Sequence, residues 1–247
     1  MSLLHAQSVS KSFGGVQAVS RVDVQVREGE LACIIGPNGA GKTTFFNLIT
    51  GYVTPDEGRV IFDGQDITGL PPHRAARLGL VRSFQKTHVF PQMSVAENVQ
   101  TMVLVQKKRS LDFLSTALRL ERDETEELLA MVGLAGSARS LAGTLSAGDR
   151  KRLELGIALA ARPKLLLLDE PTCGMSPTET ASTIELIQRL GREQRLTLLF
   201  TEHKMDVVFS IAERIAVLHF GRLIAEGKPE DIRANDEVRR VYLGDTT

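Results

Sequence analysis

The sequence has no surplus of either charge, since 30 lysines and arginines meet 30 aspartates and glutamates. That balance removes the electrostatic footprint of a dedicated nucleic-acid binder and leaves room only for a local basic patch. Long apolar runs are also missing: no window reaches the ~18 apolar residues that a membrane-spanning helix needs. The opening "MSLLHAQSVS" lacks the basic and then apolar layout of a secretory signal, so the chain is expected to stay in the cytoplasm. Any membrane role then comes through a partner. Cysteine is scarce, and Cys33 and Cys173 stand far apart with no CxxC spacing, which argues for reduced thiols over a disulfide or zinc site. What the chain does have is length and apolar content, 247 residues at 43% hydrophobic, enough for one large domain or two smaller ones.

Two kinds of strand are visible near the start. "RVDVQV" alternates like a half-buried strand, whereas "ELACIIG" is a continuous apolar run typical of a strand covered on both faces. A helix is expected over 42–50, stopping at Gly51, and "RVIFDGQDI" reads as a hairpin around Asp63 and Gly64. From Ser94 to about Gly133 the pattern becomes helical, which marks an insert. Strand and helix then alternate: helix 147–161, strand "KLLLLDE", helix 178–194, strand "LTLLFTE", helix 204–214. Such alternation predicts a parallel sheet, followed by the hairpin "RIAVLHFGRLIAEG" and two short helical pieces.

"GPNGAGKTT" at 36–44 fits the phosphate-binding pattern of glycine, four residues, glycine, lysine, threonine, and lies between a buried strand and a helix. Its glycines let successive N–H groups point at phosphate oxygens. Lys42 supplies a cation for the β and γ oxygens, and the Thr43 hydroxyl can hold Mg²⁺. The competing reading is a glycine turn that merely joins strand to helix. "LLLLDE" ends an apolar strand on Asp169 and Glu170, carboxylates that are expensive to bury without a metal or hydrogen-bond partners. Asp169 suits Mg²⁺ binding, and Glu170 can accept a proton from an attacking water, unless it only caps the turn before Pro171. His203 closes a second strand expected to run parallel to the first, where it can meet a γ-phosphate and orient the water. His5, His73, His88 and His219 read as surface or packing residues. "TLSAGDRKRLELGIALA" is a polar turn entering a helix whose free N–H groups suit an anion.

These residues resemble the ATP-binding cassette ATPases over almost the whole chain. "GPNGAGKT" matches the Walker A motif, "LLLLDE" the Walker B with its catalytic glutamate, "SFQ" the Q-loop at Gln85, and His203 the switch histidine. "LSAGD" is similar to the family signature "LSGGQ". The resemblance implies an α/β fold: a P-loop nucleotide-binding domain spanning 1–247, with a mixed central sheet, an antiparallel β subdomain and a helical subdomain at about 90–161. It implies ATP bound by Gly36, Asn38, Gly39, Ala40, Gly41, Lys42, Thr43 and Thr44, with Gln85 alongside and Phe13 stacked on adenine. Phe13 has an alternative as a core residue anchoring the first hairpin. Mg²⁺ is expected on Thr43, Gln85 and Asp169, with Lys42, Glu170 and His203 carrying hydrolysis. Ser146, Ala147, Gly148 and Asp149 are expected to meet the nucleotide of an opposite protomer.

The chain departs from the family pattern in two places. Ala147 and Asp149 replace a glycine and a glutamine of the signature, and the Asp149 carboxylate opposes the attraction of the helix dipole for phosphate. Asp149 can instead face Arg150 or Lys151 as an ordinary N-terminal helix residue. "CGMSPTE" stands where relatives carry "SALD", which puts cross-dimer contacts at Ser176 and Pro177 in question.

Within the family, "GGVQAV", "RSFQ", "VFPQMSVAENV", "GMSPTET" and "VRRVYLG" resemble the ATPases of branched-chain amino acid importers; urea-importer and lipopolysaccharide-exporter ATPases share most of these stretches. The resemblance implies transmembrane permease subunits, docked by 86–92 and the following helix, and a second similar ATPase or a second copy in an ATP-sandwich dimer. It also implies a periplasmic or extracellular substrate-binding protein acting indirectly, no nucleic acid, and a peripheral place on the cytoplasmic face of the inner membrane. A soluble cassette ATPase of translation or DNA repair is the alternative from another class. One cassette, no sustained heptads and zero net charge weigh against it. A non-catalytic ATP-switched scaffold is opposed by Glu170 and His203.

Overall fold

The structure, a computed structural model, describes residues 2–83, 89–107 and 121–243. The expected Gln85 and His88, and residues 86–88 of the expected docking segment 86–92, lie outside the described residues. The chain divides into two units, one formed by Met1–Arg82, Lys164–Glu170 and Ile187–Thr247, the other by Ser83–Pro163 and Pro171–Leu186.

The first unit holds β1 (Ser2–Phe13), β2 (Val16–Arg27), β3 (Leu31–Ile35), β4 (Glu57–Phe62), β5 (Gln65–Asp66), β6 (Leu80–Ser83), β7 (Leu165–Asp169), β8 (Thr197–Thr201), β9 (Arg214–His219) and β10 (Arg222–Gly227). They form two sheets: four strands in the order β2-β1-β4-β5, paired antiparallel, and six in the order β10-β9-β3-β8-β7-β6. In the larger sheet β3 runs parallel to β8 and β9, and β7 runs parallel to β8, while the β9–β10 hairpin is antiparallel. Sequence type explains the difference. Every residue of β3, β7 and β8 is buried, as apolar runs covered on both faces must be. From Val22 to Arg27 β2 buries alternate residues, Val22, Val24 and Val26, while Asp23, Gln25 and Arg27 are exposed. The β4–β5 turn places Asp63 at φ 48° and Gly64 at φ 74°, the left-handed pair that a two-residue hairpin requires.

Helix α1 (Lys42–Ile49) follows β3 and buries Phe45 and Phe46 completely, in one core with Leu4, Phe62 and Leu199. Helix α2 (Pro72–Arg77) and strands β1 and β6 are elements for which the sequence patterns gave no expectation. In the second unit α3 (Val95–Gln106), α4 (Arg122–Met131) and α5 (Ala147–Ala160) pack on one another. Helix α3 starts on a reciprocal cap: Ser94 Oγ accepts from Glu97 N, and a Glu97 carboxylate oxygen accepts from Ser94 N. Its Val95, Val99 and Val103 form one fully buried stripe at helical spacing. Helix α6 (Pro177–Gln194) runs through the boundary between the units, and α7 (Met205–Ile211), α8 (Pro229–Ala234) and α9 (Asp236–Val238) complete the first. The helix expected over 204–214 is shorter because Arg214 already belongs to β9, paired with Ala32, and its guanidinium binds the Glu30 carboxylate at 2.7 and 2.9 Å.

Replacing Phe45 by Ala removes a fully buried ring from the shared core, and should destabilise the protein by about 3–5 kcal/mol. Urea unfolding followed by circular dichroism reads this as a lower midpoint, and an unchanged midpoint would show that the core collapses around the gap.

Candidate functional site

The phosphate-type loop spans β3 to α1, and its backbone is committed before any ligand arrives. Gly36 has φ 152° and Gly41 φ 100°. A Cβ on Gly36 would lie 2.1 Å from the Leu218 carbonyl oxygen, and one on Gly41 2.4 Å from that of Ala18, so neither position can carry a side chain. Gly41 caps α1 without a side-chain acceptor, which leaves N–H groups at the helix start open to an anion. The loop is bracketed from outside: Gly221 N donates to the Ala40 oxygen at 3.0 Å, and Ser20 N donates to the Gly221 oxygen at 2.7 Å. Lys42 is nearly buried, and its ammonium donates to the carbonyls of Gly36 at 2.7 Å and Pro37 at 3.0 Å. Burial lowers the Lys42 pKa, while the charges of Glu170 and Asp169 pull the other way, so both carboxylates act on this ammonium.

Asp169 ends β7 with its side chain 6% exposed. Thr201, which ends the neighbouring β8, donates from Oγ1 to Asp169 Oδ1 at 2.7 Å. Arg82 of β6 donates from Nη2 to Asp169 Oδ2 at 3.1 Å and from Nη1 to Asn47 Oδ1 of α1 at 2.7 Å. Its guanidinium also lies over the Phe46 and Tyr52 rings at 5.5 and 5.9 Å.

Glu170 turns out of the strand at φ 50°, its N–H donating to the Thr201 carbonyl at 3.1 Å. Its Oε1 meets His203 Nε2 at 3.0 Å. The backbone N–H of His203 donates to the buried Glu202 carboxylate at 3.0 Å. The structure thus brings together Lys42, Asp169, Glu170 and His203 in the first unit. Tyr242 joins them from the chain's far end: burial pushes its phenol up to about 12, with a hydrogen bond from the Gly36 backbone acting in the opposite direction.

Phe13 ends β1 and is 48% exposed, so the alternative in which it anchors a core does not hold. Lys11 Nζ lies 5.7 Å from its ring centre. Ser146, Ala147, Gly148 and Asp149 form the start of α5 in the second unit. There Ser146 Oγ accepts from Asp149 N at 3.1 Å, and Ser146 and Gly148 both donate to Glu179. Arg150 donates to the Leu145 carbonyl and Lys151 pairs with Glu154, so neither basic neighbour is taken up by Asp149.

Arg82, Thr201, Glu202, Tyr242 and Glu179 are the site residues that sequence reasoning missed. All five lay within stretches already singled out: Arg82 inside "RSFQ", Thr201 and Glu202 inside "LTLLFTE", Glu179 inside "GMSPTET" and Tyr242 inside "VRRVYLG". The donor set fits a hard divalent cation, because Thr43 offers a hydroxyl and Asp169 a carboxylate, with no sulfur or imidazole competing at those two positions.

Two family models match the chain: ABC transporter over residues 19–173, and branched-chain amino acid ATP-binding cassette transporter over residues 222–246. The high-affinity branched-chain amino acid transport ATP-binding protein BraF of Pseudomonas aeruginosa is 40% identical, across 98% of this chain and 98% of its own. An ATP-binding cassette of an ABC transporter solved in its ADP conformation superposes with a TM-score of 0.87 at 31% identity, covering 99% of this chain and 100% of that one. A dimeric bacterial ABC transporter cassette superposes with a TM-score of 0.76 at 28% identity, covering 92% of this chain and 98% of that one.

Arg82→Ala should leave the Asp169 carboxylate buried without its cation and cost about 3–5 kcal/mol of stability. Combining it with Asp169→Asn should recover part of that loss, measured as coupling in urea unfolding of the four variants. Additive losses would show that Arg82 acts through its other contacts, with Asn47 and the two rings among them, and not through Asp169.

Proposed function

The chain belongs to the ATP-binding cassette family of transporter ATPases, and on that premise we propose that it drives import of branched-chain amino acids by hydrolysing ATP on the loop at 36–44. The observation that carries the reading is the Glu170–His203 pair at 3.0 Å, together with a lysine ammonium that feels both strand-end carboxylates. The similarity to a branched-chain amino acid transport protein along almost the full length supports the cargo assignment.

In this reading the N–H groups of the loop and of the start of α1 hold the phosphates, and Lys42 moves its charge from the Gly36 and Pro37 carbonyls onto the β and γ oxygens. Thr43, Asp169 and Gln85 would hold Mg²⁺, which supplies charge neutralisation at the phosphates when bound. Glu170 takes a proton from the water that attacks the γ-phosphorus, giving ADP and phosphate. His203 holds the Glu170 carboxylate through Nε2 and is positioned to share contact with the γ-phosphate. Phe13, exposed at the end of β1, offers the ring for adenine.

The whole of 1–247 acts as one cassette domain, with a helical subdomain at about 90–161. The second half of each ATP site comes from Ser146, Ala147, Gly148 and Asp149 of an opposite protomer, either a second copy or a similar ATPase subunit. The cassette docks on transmembrane permease subunits at the cytoplasmic face of the inner membrane; those subunits carry the cargo contacts, with a substrate-binding protein acting through them. Among the described residues no helix is long and apolar enough to cross a membrane, so that attachment is peripheral in this proposal.

Glu170→Gln should retain ATP binding and lose hydrolysis by about 10²–10⁴-fold, because the amide keeps the shape but cannot take the proton. Lys42→Ala should weaken binding and turnover together. Steady-state phosphate release with equilibrium nucleotide binding checks both, and full-rate hydrolysis by Glu170→Gln would remove Glu170 from the mechanism. For the cargo, vesicles holding the complete transporter should accumulate leucine and not urea when ATP is supplied.

A further inference from the structure

The N-terminus of α5 offers an anion the Ser146 hydroxyl and the Gly148 N–H, and in this chain an anion already occupies them. The Glu179 carboxylate, from the first turn of α6, accepts from Ser146 Oγ at 3.2 Å and from Gly148 N at 3.1 Å, both through Oε1. Its other oxygen accepts from Ser176 N at 3.0 Å and from Ser176 Oγ at 2.9 Å. Four donors on one carboxylate are the complement that a phosphate group would ask for. The fit is close: a Cβ on Gly148 would stand 2.6 Å from Glu179 Oε1, so a side chain at this position could not coexist with the carboxylate in its present place. Hydrogen bonds from Ser176, then Gly148 and Ser146, hold the Glu179 carboxyl below its ordinary range, so it is an anion at neutral pH.

We infer that Glu179 is an internal stand-in for phosphate: it closes the Ser146–Gly148 cradle in the unassembled chain and must withdraw before the γ-phosphate of a partner's ATP can enter. The inference rests on the composite-site reading of the proposed function. Its physics is exclusion. Ser146 has one hydroxyl proton and Gly148 one amide proton, both committed to Glu179 Oε1, and two anions cannot share them. Withdrawal also breaks or carries along the Ser176 hydrogen bonds at the head of α6. Filling the cradle is thereby coupled to the segment 176–179, which follows the strand-end carboxylates in sequence. Ser176 and Glu179 also cap α6 for one another, since Glu179 N donates to Ser176 Oγ at 3.3 Å.

Two measurements test this separately. In the first, inorganic phosphate is titrated into the monomeric chain while the Gly148 amide is followed by NMR. The wild type should not respond there, and Glu179→Ala should. Glu179→Gln, which keeps the shape and removes the charge, should show a smaller response and guards against misfolding. Unaltered shifts elsewhere in the second unit certify the fold. In the second, ATP-driven association is measured by sedimentation in the Glu170→Gln background, with the partner ATPase subunit added. Removing Glu179 should lower the ATP concentration for half-maximal association about tenfold, the worth of one hydrogen bond to a charged group. An equal Gly148 response in all variants, or none in any, overturns the latch, as does an association midpoint that stays put or rises. If the Glu170→Gln background itself never associates with ATP, the composite-site reading falls instead, and the phosphate titration still decides whether Glu179 closes the cradle.

Discussion

A carboxylate buried at the end of an apolar strand is the constraint around which the first unit is organised. Burying the Asp169 carboxylate there is costly without partners, and the partners come from three directions: Thr201 from the adjacent strand, Arg82 from β6, and through Arg82 the Asn47 side chain of α1. One charge therefore ties three strands of the larger sheet to the helix that carries the phosphate loop. Replacing the pair with apolar residues would be tolerable energetically in many proteins. Here it would remove the only carboxylate on β7, so the expense of burial is retained for what the carboxylate can bind.

The geometry of the neighbouring residue follows from the same threonine. Thr201 donates to Asp169, and its carbonyl and hydroxyl accept from the Glu170 N–H at 3.1 and 3.2 Å. Glu170 is thereby held in a left-handed backbone conformation that swings its side chain out of the sheet and onto His203. A non-glycine residue in that region carries strain, which persists only where the surroundings over-determine it, as these hydrogen bonds do.

How far the sequence revealed this depended on how local each signal was. The loop at 36–44, the buried strands and the β4–β5 turn were readable because glycine spacing, apolar runs and an Asp-Gly pair act over a few residues. Strand β1 was not, since bulges between Ser2 and Leu4 and between Ala6 and Val9 break its alternation, with Ser8 at φ 47°. Arg82 carries no local mark of its role, because its partner lies 87 residues away. The Asp149 environment went the same way: sequence proximity nominated Arg150 and Lys151, and the fold gave those side chains to Leu145 and Glu154. Glu179 likewise carries no local mark of its role, because the anion cradle it occupies belongs to another helix, which only the folded second unit brings within reach.

The bracketing of the phosphate loop has a thermodynamic corollary. Because Ala18 crowds Gly41, Leu218 crowds Gly36, and Gly221 is bonded to Ala40 on one side while Ser20 is bonded to Gly221, the loop has little conformational entropy left to lose. A nucleotide arriving at such a loop meets its amides already aimed, so nearly all of the phosphate interaction appears as affinity and little is consumed in ordering the backbone. The β9–β10 turn that provides part of this bracing is remote in sequence from the loop. Substitutions in that turn would therefore act on nucleotide binding through the stiffness of a backbone they only touch from outside.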